Sequence, residues 1–150
     1  MKHELVKNWM SQNVVTIRPD ATLPEANQLL KEKRIRRLPV VDAAGKLVGI
    51  ITLGDVRGVE PSPATSLSIW ESNYLLAKLP VRQFMTPNPV TISEDATLGE
   101  AAQMMLARRV SGLPVLDQHG DLVGIITESD IFRMVVLYEW QAEETAPESV

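Results

Sequence analysis

Apolar and polar positions along the chain alternate between two spacings, and each spacing predicts an element. Val14–Ile17 is a β-branched run that ends at the turn-forming pair Pro19-Asp20, which predicts a short strand. From there to about Lys33 the apolar residues recur three and four positions apart, which predicts a helix. Thr22 and Glu25 form a capping-box pattern at its start, in which each side chain bonds the other residue's backbone N–H.

A pair of apolar runs follows, Leu38–Val41 and Leu47–Thr52, separated by the sequence Asp42-Ala43-Ala44-Gly45. Two such runs around a tight turn that ends in glycine predict an antiparallel hairpin. Both runs are apolar throughout, which is typical of strands that are covered on both faces. A second helix is predicted from about residue 53.

The whole pattern occurs twice, because the sequence is an internal repeat with an offset of 75 residues. Residues 10–57 align with residues 85–132 without a gap, and 25 of these 48 positions are identical. The capping box returns as Thr97 and Glu100. Each copy is therefore predicted to fold as strand, helix, strand, strand, helix.

The two copies differ at their ends. Pro61 and Pro63 end the last helix of the first copy early, because proline removes a hydrogen-bond donor and clashes with the preceding turn. In the second copy Ile131–Glu143 can continue for three turns. Residues 58–66 have the composition of a linker, and residues 67–79 have the spacing of an amphipathic helix. The predicted organisation is a first repeat over 1–60, a linker with an amphipathic helix over 61–79, a second repeat over 80–141 and an acidic tail over 142–150.

Composition narrows the class of protein. The chain has 150 residues, of which 45% are hydrophobic and 23% charged, and this apolar content argues against a disordered chain. No apolar run is long enough to span a bilayer, the first residues lack a secretory signal, and there is no cysteine. We therefore expect a cytoplasmic protein without disulfides or thiolate metal sites.

The net charge of −4 is unevenly divided. Residues 1–57 hold ten Lys and Arg against six Asp and Glu, and residues 58–150 hold five against thirteen. An acidic chain argues against non-specific nucleic-acid binding, which depends on many contacts from Lys and Arg to phosphates. The basic first half can still bind a small anion, or meet the acidic half of a second chain.

The repeat resembles a known domain. Its ending, D-x-x-G-x-L-x-G-I-I-T-x-x-D, is similar to that of the CBS domain, and the tandem arrangement resembles a CBS pair, or Bateman module. The resemblance covers about residues 5–57 and 80–138. It implies a mixed α/β (α+β) fold of two β-α-β-β-α repeats packed as a pseudo-twofold pair, with two clefts between them that bind adenosine-containing ligands. It also implies a regulatory module, here a stand-alone pair.

Thr52 and Asp55, with their counterparts Thr127 and Asp130, are the leading site candidates. An acid three residues after a threonine is a helix-capping pattern in its own right. A carboxylate can also accept hydrogen bonds from the two hydroxyls of a ribose. The resemblance places these residues against ribose and the nearby phosphate, and capping and ligand binding are compatible.

Arg36 and Arg37 are the second pair of candidates. Alone they read as part of a solvated basic cluster, but the resemblance places residues before this strand in the cleft, where a guanidinium can donate two bonds to a phosphate. The second copy has Ser111 and Gly112 there instead. We therefore predict that the cleft of Asp55 is the better site for a phosphate-bearing ligand.

The resemblance also supplies an apolar slot for adenine. It assigns Ile50, Val90 and Val110 to the cleft of Asp55, and Ile125, Val15 and Ile35 to the cleft of Asp130. Each of these can equally be ordinary core. Gly54 and Ser129 are small residues just before the two acids, which permits close approach of a ligand or simply a tight turn.

We expect a regulatory sensor of an adenosine-containing ligand that signals to a partner protein. AMP, ADP, ATP and S-adenosylmethionine remain alternatives because they share the adenosine part. A structural or dimerisation module without a physiological nucleotide is the second hypothesis. No nucleophile, acid–base pair or metal-ligand spacing is present in the sequence, so we expect neither an enzyme nor a required cofactor. We also expect a homodimer, and we expect neither DNA nor a membrane as a partner.

Overall fold

The computed structural model describes residues 3–59 and 74–140, which divide into two units. The first-repeat unit is formed by Val15–Pro89. The second-repeat unit is formed by Met1–Val14 together with Val90–Val150. Among the described residues, each unit has its own buried core of nine apolar side chains.

The described elements follow the order predicted for the repeats. The helices are α1 (Val6–Trp9), α2 (Leu23–Glu32), α3 (Leu53–Gly58), α4 (Leu98–Arg108) and α5 (Glu128–Val135). The strands are β1 (Arg37–Val41), β2 (Leu47–Thr52), β3 (Thr86–Pro87), β4 (Ile92–Ser93), β5 (Gly112–Leu116) and β6 (Leu122–Thr127). Residues 74–77 are helical, Val81–Gln83 form a 3-10 turn, and Val136–Trp140 continue α5 as π-helix. The predicted mixed α/β fold class is confirmed.

Local sequence explains both helix starts and hairpins. Thr22 and Thr97 cap α2 and α4, and the reciprocal bonds of Glu25 and Glu100 complete the predicted capping boxes. In the first hairpin the Asp42 carboxylate accepts hydrogen bonds from the backbone N–H groups of residues 44 and 46, both at 2.9 Å, and Gly45 takes a φ of 81°. The second hairpin has the same geometry around Asp117. These contacts are local, so the sequence pattern reveals them.

The first strand of the first repeat is shorter than predicted. Of Val14–Ile17, only Ile17 pairs, in a parallel bridge with Val40, where its N–H donates to the Pro39 carbonyl at 3.0 Å. Continuing this ladder toward Val15 would require a backbone N–H on Pro39, which proline lacks. The equivalent strand of the second repeat, β4, is likewise only two residues long and pairs beside Pro114.

The first residues of each repeat pack in the unit of the other repeat. At the start of the first repeat, α1 belongs to the second-repeat unit, where the N–H of Val6 donates to the Ala96 carbonyl at 2.8 Å. At the start of the second repeat, the N–H of Val81 donates to the Ala21 carbonyl at 2.7 Å in the first-repeat unit, and β3 extends the sheet of β1 and β2. Val6 and Val81 are both fully buried.

Two glycines make room for these exchanged segments. A Cβ at Gly124 would lie 2.4 Å from the Met10 sulfur, and one at Gly49 would lie 2.4 Å from the Met85 sulfur. No real Cβ approaches so closely, so each sheet accepts its methionine only because the strand residue has no side chain.

Several predictions fall partly outside the described residues. Pro61, Pro63, the greater part of the 58–66 linker, residues 67–73 of the predicted amphipathic helix and the 142–150 tail lie there. α3 ends at Gly58, before both prolines. Within the described part of the chain, no helix is long and apolar enough to cross a membrane.

Candidate functional site

The end of β2 and the start of α3 form one corner of the first-repeat unit, and they hold Thr52 and Asp55 together. The N–H of Thr52 donates to Asp55 Oδ2 at 2.9 Å, and the N–H of Asp55 donates to Thr52 Oγ1 at 3.1 Å. These bonds are the capping box that the sequence pattern allowed. Asp55 is half-buried, so its carboxylate is held in place while part of it stays accessible.

The same corner includes the predicted arginines. Strand pairing places Arg37 opposite Thr52, and the N–H of Leu53 donates to the Arg36 carbonyl at 2.9 Å. Arg36 is exposed and Arg37 is half-buried. Gly54, on the first turn of α3, is also exposed. A Cβ added there would lie 3.6 Å from Thr52 Oγ1, which is an ordinary van der Waals distance. Arg36 and Arg37 therefore lie in the same corner as Asp55, whose carboxylate the capping box holds in place.

The equivalent corner of the second-repeat unit has the same backbone with different chemistry. Gly112 pairs with Thr127, and the N–H of Glu128 donates to the Ser111 carbonyl at 3.0 Å. Ser129 is exposed on the first turn of α5. The start of β5 supplies no guanidinium, because Ser111 and Gly112 replace both arginines.

Asp130 is more enclosed than Asp55. Only 4% of the residue is exposed. Its Oδ2 accepts hydrogen bonds from the N–H of Thr127 at 2.8 Å and from Thr127 Oγ1 at 3.2 Å. Its Oδ1 accepts from Nη2 of Arg133, one helical turn later. Both carboxylate oxygens of Asp130 are therefore engaged.

Sequence reasoning missed Arg133. The signal was available, because an acid and an arginine three positions apart on a helix face each other. The repeat alignment adds a second signal, since the position equivalent to Arg133 in the first copy is Gly58.

The apolar candidates divide between the units. Val15 and Ile35 pack against the core of the first-repeat unit, and Val90 and Val110 pack against that of the second-repeat unit. Ile50 and Ile125 are half-buried on β2 and β6. Their packing agrees with a core role, and their part in holding adenine stays a prediction.

The described part of the chain contains no candidate metal site. Among residues 3–59 and 74–140, no group of three or more His, Cys, Asp or Glu side chains is placed to hold an ion. His3 and His119 are both exposed.

Comparison with known proteins finds the same repeat in both halves. The model of the CBS domain matches residues 6–61 and 81–137. A CBS domain-containing protein of Dictyostelium discoideum is 41% identical over 132 residues, which cover 88% of this chain and 91% of that protein. Other relatives are longer: the chain spans 49% of an uncharacterized protein and 22% of an inosine-5′-monophosphate dehydrogenase, both of Methanocaldococcus jannaschii.

Two solved structures share the fold at similar length. A CBS domain pair in complex with 5′-methylthioadenosine and S-adenosyl-L-methionine is 33% identical with a TM-score of 0.71, and the match covers 87% of this chain and 94% of that one. CBSX2, a CBS-pair protein of Arabidopsis thaliana, in complex with AMP, is 28% identical with a TM-score of 0.74, covering 89% and 97%.

Proposed function

Because this chain belongs to the CBS domain family and carries two copies of the domain, we propose that it is a regulatory module that binds an adenosine-containing ligand. AMP, ADP, ATP and S-adenosylmethionine are the candidate ligands. Two structural relatives with AMP or with S-adenosylmethionine and methylthioadenosine support the ligand class. The observation that carries the proposal is the corner of the first-repeat unit, where Asp55 is positioned beside Arg36 and Arg37.

The chemistry of this corner suits a nucleotide. The N–H of Thr52 donates to Oδ2 of Asp55, and the half-buried carboxylate has a second oxygen, Oδ1. A ribose presents two adjacent hydroxyl donors, which a carboxylate can accept. A phosphate presents the acceptors that a guanidinium fork matches. We therefore assign ribose to Asp55 and phosphate to the neighbouring arginines.

This assignment makes the first-repeat unit the stronger site for a phosphate-bearing ligand. The test is isothermal titration with AMP and with adenosine. Asp55→Ala is expected to weaken both ligands, because it removes the ribose acceptor. Arg36→Ala is expected to weaken AMP while leaving adenosine nearly unchanged. Loss of binding in Asp130→Ala, with Asp55→Ala unaffected, would refute the assignment.

A thermal-shift panel identifies the ligand. A compound that binds the native state alone stabilises it by RT ln(1 + [L]/Kd), about 2.7 kcal/mol at a hundredfold excess over Kd. At least one adenosine-containing compound is expected to raise the melting temperature, whereas guanosine analogues serve as controls. A flat response across the panel would favour the second candidate, a structural interaction module without a nucleotide.

We also propose that ligand binding is signalled to a partner protein and that the module itself is neither an enzyme nor dependent on a cofactor. Signalling requires that the ligand bind one of two conformations more tightly. The predicted cytoplasmic setting belongs to the same proposal. Turnover of AMP or ATP by the purified protein would contradict the proposal that the module is not an enzyme.

Self-association is the final part of the proposal. Leu106 on α4 and Phe132 on α5 are 81% and 65% exposed, and they line a mostly apolar groove together with Ala102, Met105, Ile131 and Glu128. The equivalent residues of the first repeat are Lys31 and Arg57. A twofold dimer buries one such patch against its own copy.

Sedimentation velocity tests the homodimer. Leu106→Glu is expected to shift the chain toward monomer, because it places a charge in the apolar patch. Lys31→Glu, at the equivalent position of the first repeat, is the matched control and is expected to leave the dimer intact. A wild-type chain that stays monomeric at every concentration would refute the homodimer.

A further inference from the structure

Asp55 and Asp130 have the same backbone environment, but their carboxylates have different side-chain partners. Each carboxylate accepts a hydrogen bond from the N–H of the threonine three residues earlier, at 2.9 Å for Asp55 and 2.8 Å for Asp130. Among the described residues, Asp130 also receives a guanidinium, from Arg133, and no such bond to Asp55 is present. The position of Arg133 is Gly58 in the first repeat, where an added Cβ would meet no described residue within 4 Å.

This ion pair occupies one of the acceptor sites that a ribose would need. Thr127 bonds Oδ2 of Asp130 through both its N–H and its hydroxyl, so Oδ1 is the oxygen left for a ligand. Arg133 bonds that oxygen. The Asp130 side chain is 5% exposed while the Arg133 side chain is 63% exposed, so the arginine lies on the solvent side of the carboxylate.

We propose that Arg133 is an internal competitor for Asp130, which a nucleoside must displace before its hydroxyls can bind the second-repeat unit. This inference rests on the proposed function, because it concerns the same ribose-binding chemistry. It makes the two units unequal: among the described residues no guanidinium bonds the carboxylate of Asp55, whereas that of Asp130 is held by its own helix. The exchange of glycine for arginine at this position contributes to the difference.

The size of the effect follows from the exposure of the arginine. Ion pairs with one or both partners in solvent contribute modestly, since water screens the charges and the long side chain loses freedom. Displacing Arg133 is therefore expected to weaken nucleoside binding about fivefold.

Adenosine is the probe that isolates this competition, because it has the two ribose hydroxyls but no phosphate for Arg133 to attract. Titrations in the Asp55→Ala background report on the second-repeat unit. There, Arg133→Ala is expected to tighten adenosine about fivefold. Arg108→Ala removes the same charge from the exposed end of α4, and it is expected to change nothing. Thermal unfolding of each variant checks that the fold is retained.

The reciprocal experiment installs the competitor in the first-repeat unit. Gly58→Arg is expected to weaken adenosine binding to Asp55 about fivefold, because no described residue crowds a side chain at this position and an arginine there can reach back one turn. Gly58→Ala is the control and should leave affinity within twofold. This variant changes no residue of the proposed site itself.

The outcomes separate this inference from the proposed function. Unchanged or weaker adenosine binding after Arg133→Ala, in the Asp55→Ala background, overturns the competitor role. If the wild-type chain nevertheless binds adenosine in a manner that depends on Asp55, the proposed function stands without it. If neither the wild-type chain nor the double variant binds adenosine, both ideas fail.

Discussion

At the scale of single residues, small differences between matching positions change the chemistry of the two units. Arg36 and Arg37 are replaced by Ser111 and Gly112, and Gly58 is replaced by Arg133. Positive charge therefore lies on the residues before the strand in one unit and on the helix in the other. Asp55 has arginines nearby at the start of β1, so carboxylate and guanidinium can bind different parts of one ligand. Asp130 is instead hydrogen-bonded to the guanidinium of Arg133, which leaves it fewer acceptor sites for a ligand.

Glu4 shows the influence of neighbours on a single carboxylate. It accepts hydrogen bonds from Trp9 Nε1, at 2.7 Å, and from the Tyr138 hydroxyl. The bond from Trp9, followed by that from Tyr138, lowers the pKa of Glu4 below its usual 4.5. The same contact raises the pKa of Tyr138 above 10.0.

We predict that Trp9→Phe raises the pKa of Glu4 toward 4.5, and that Tyr138→Phe raises it less. The reason is that each variant removes a donor that favours the charged carboxylate. Because the folded-state pKa is depressed, the stability that Glu4 contributes is present above about pH 4.5 and is lost as pH falls through the folded-state pKa. A carboxyl-detected NMR titration measures this pKa. An unchanged value in both variants would show that the two bonds do not form in solution.

At the scale of elements, helix starts and hairpin turns are determined by residues within four positions of one another. The predicted capping boxes and the predicted hairpins are present in both repeats. The apolar faces are also as expected, since Leu23, Ala26 and Leu30 are the buried residues of α2. The first strand is the exception, because its length depends on whether the strand beside it has an N–H to donate.

Thr97→Ala is expected to lower the free energy of unfolding by about 1 kcal/mol, because the hydroxyl that accepts from the Glu100 N–H at 3.1 Å is lost. This cap lies away from the proposed ligand residues, so the change reports on α4 alone. Thr97→Ser keeps the acceptor and is the control. Urea unfolding measures both variants. Equal stability of the two would mean that the cap contributes nothing.

At the scale of the whole molecule, each unit is completed by the first residues of the other repeat. α1 and the 3-10 turn at Val81–Gln83 occupy equivalent places in the two units, and each inserts a fully buried valine into a core of nine described residues. A boundary drawn from the alignment at the start of each repeat therefore differs from the boundary of the units. The exchange also means that neither repeat, cut at its alignment limits, retains its complete core.

Val81→Ala tests the exchange. Val81 lies at the start of the second repeat but is fully buried in the first-repeat unit, so its truncation should destabilise that unit by roughly 2 kcal/mol. Native-state hydrogen exchange is expected to accelerate at β1 and β2. Val6→Ala is the matched variant and should act on β5 and β6 instead. If Val81→Ala instead accelerated hydrogen exchange first at β5 and β6, the assignment of Val81 to the core of the first-repeat unit would be wrong.

The sequence alone determined the repeat, the order of its elements, the caps, the hairpins and the family resemblance. All of these depend on short-range spacing or on comparison of one half with the other. The resemblance also grouped Thr52, Asp55 and the two arginines in one cleft, and the pairing of β1 with β2 places Arg37 opposite Thr52.

Only the tertiary structure decided which segment completes which core, how little of the first strand pairs, and that Arg133 bonds Asp130. These features depend on partners distant in sequence, or on which of several allowed side-chain contacts forms. Spacing can permit an ion pair one helical turn apart, but burial of the carboxylate and prior use of its other oxygen by Thr127 direct the guanidinium to Oδ1.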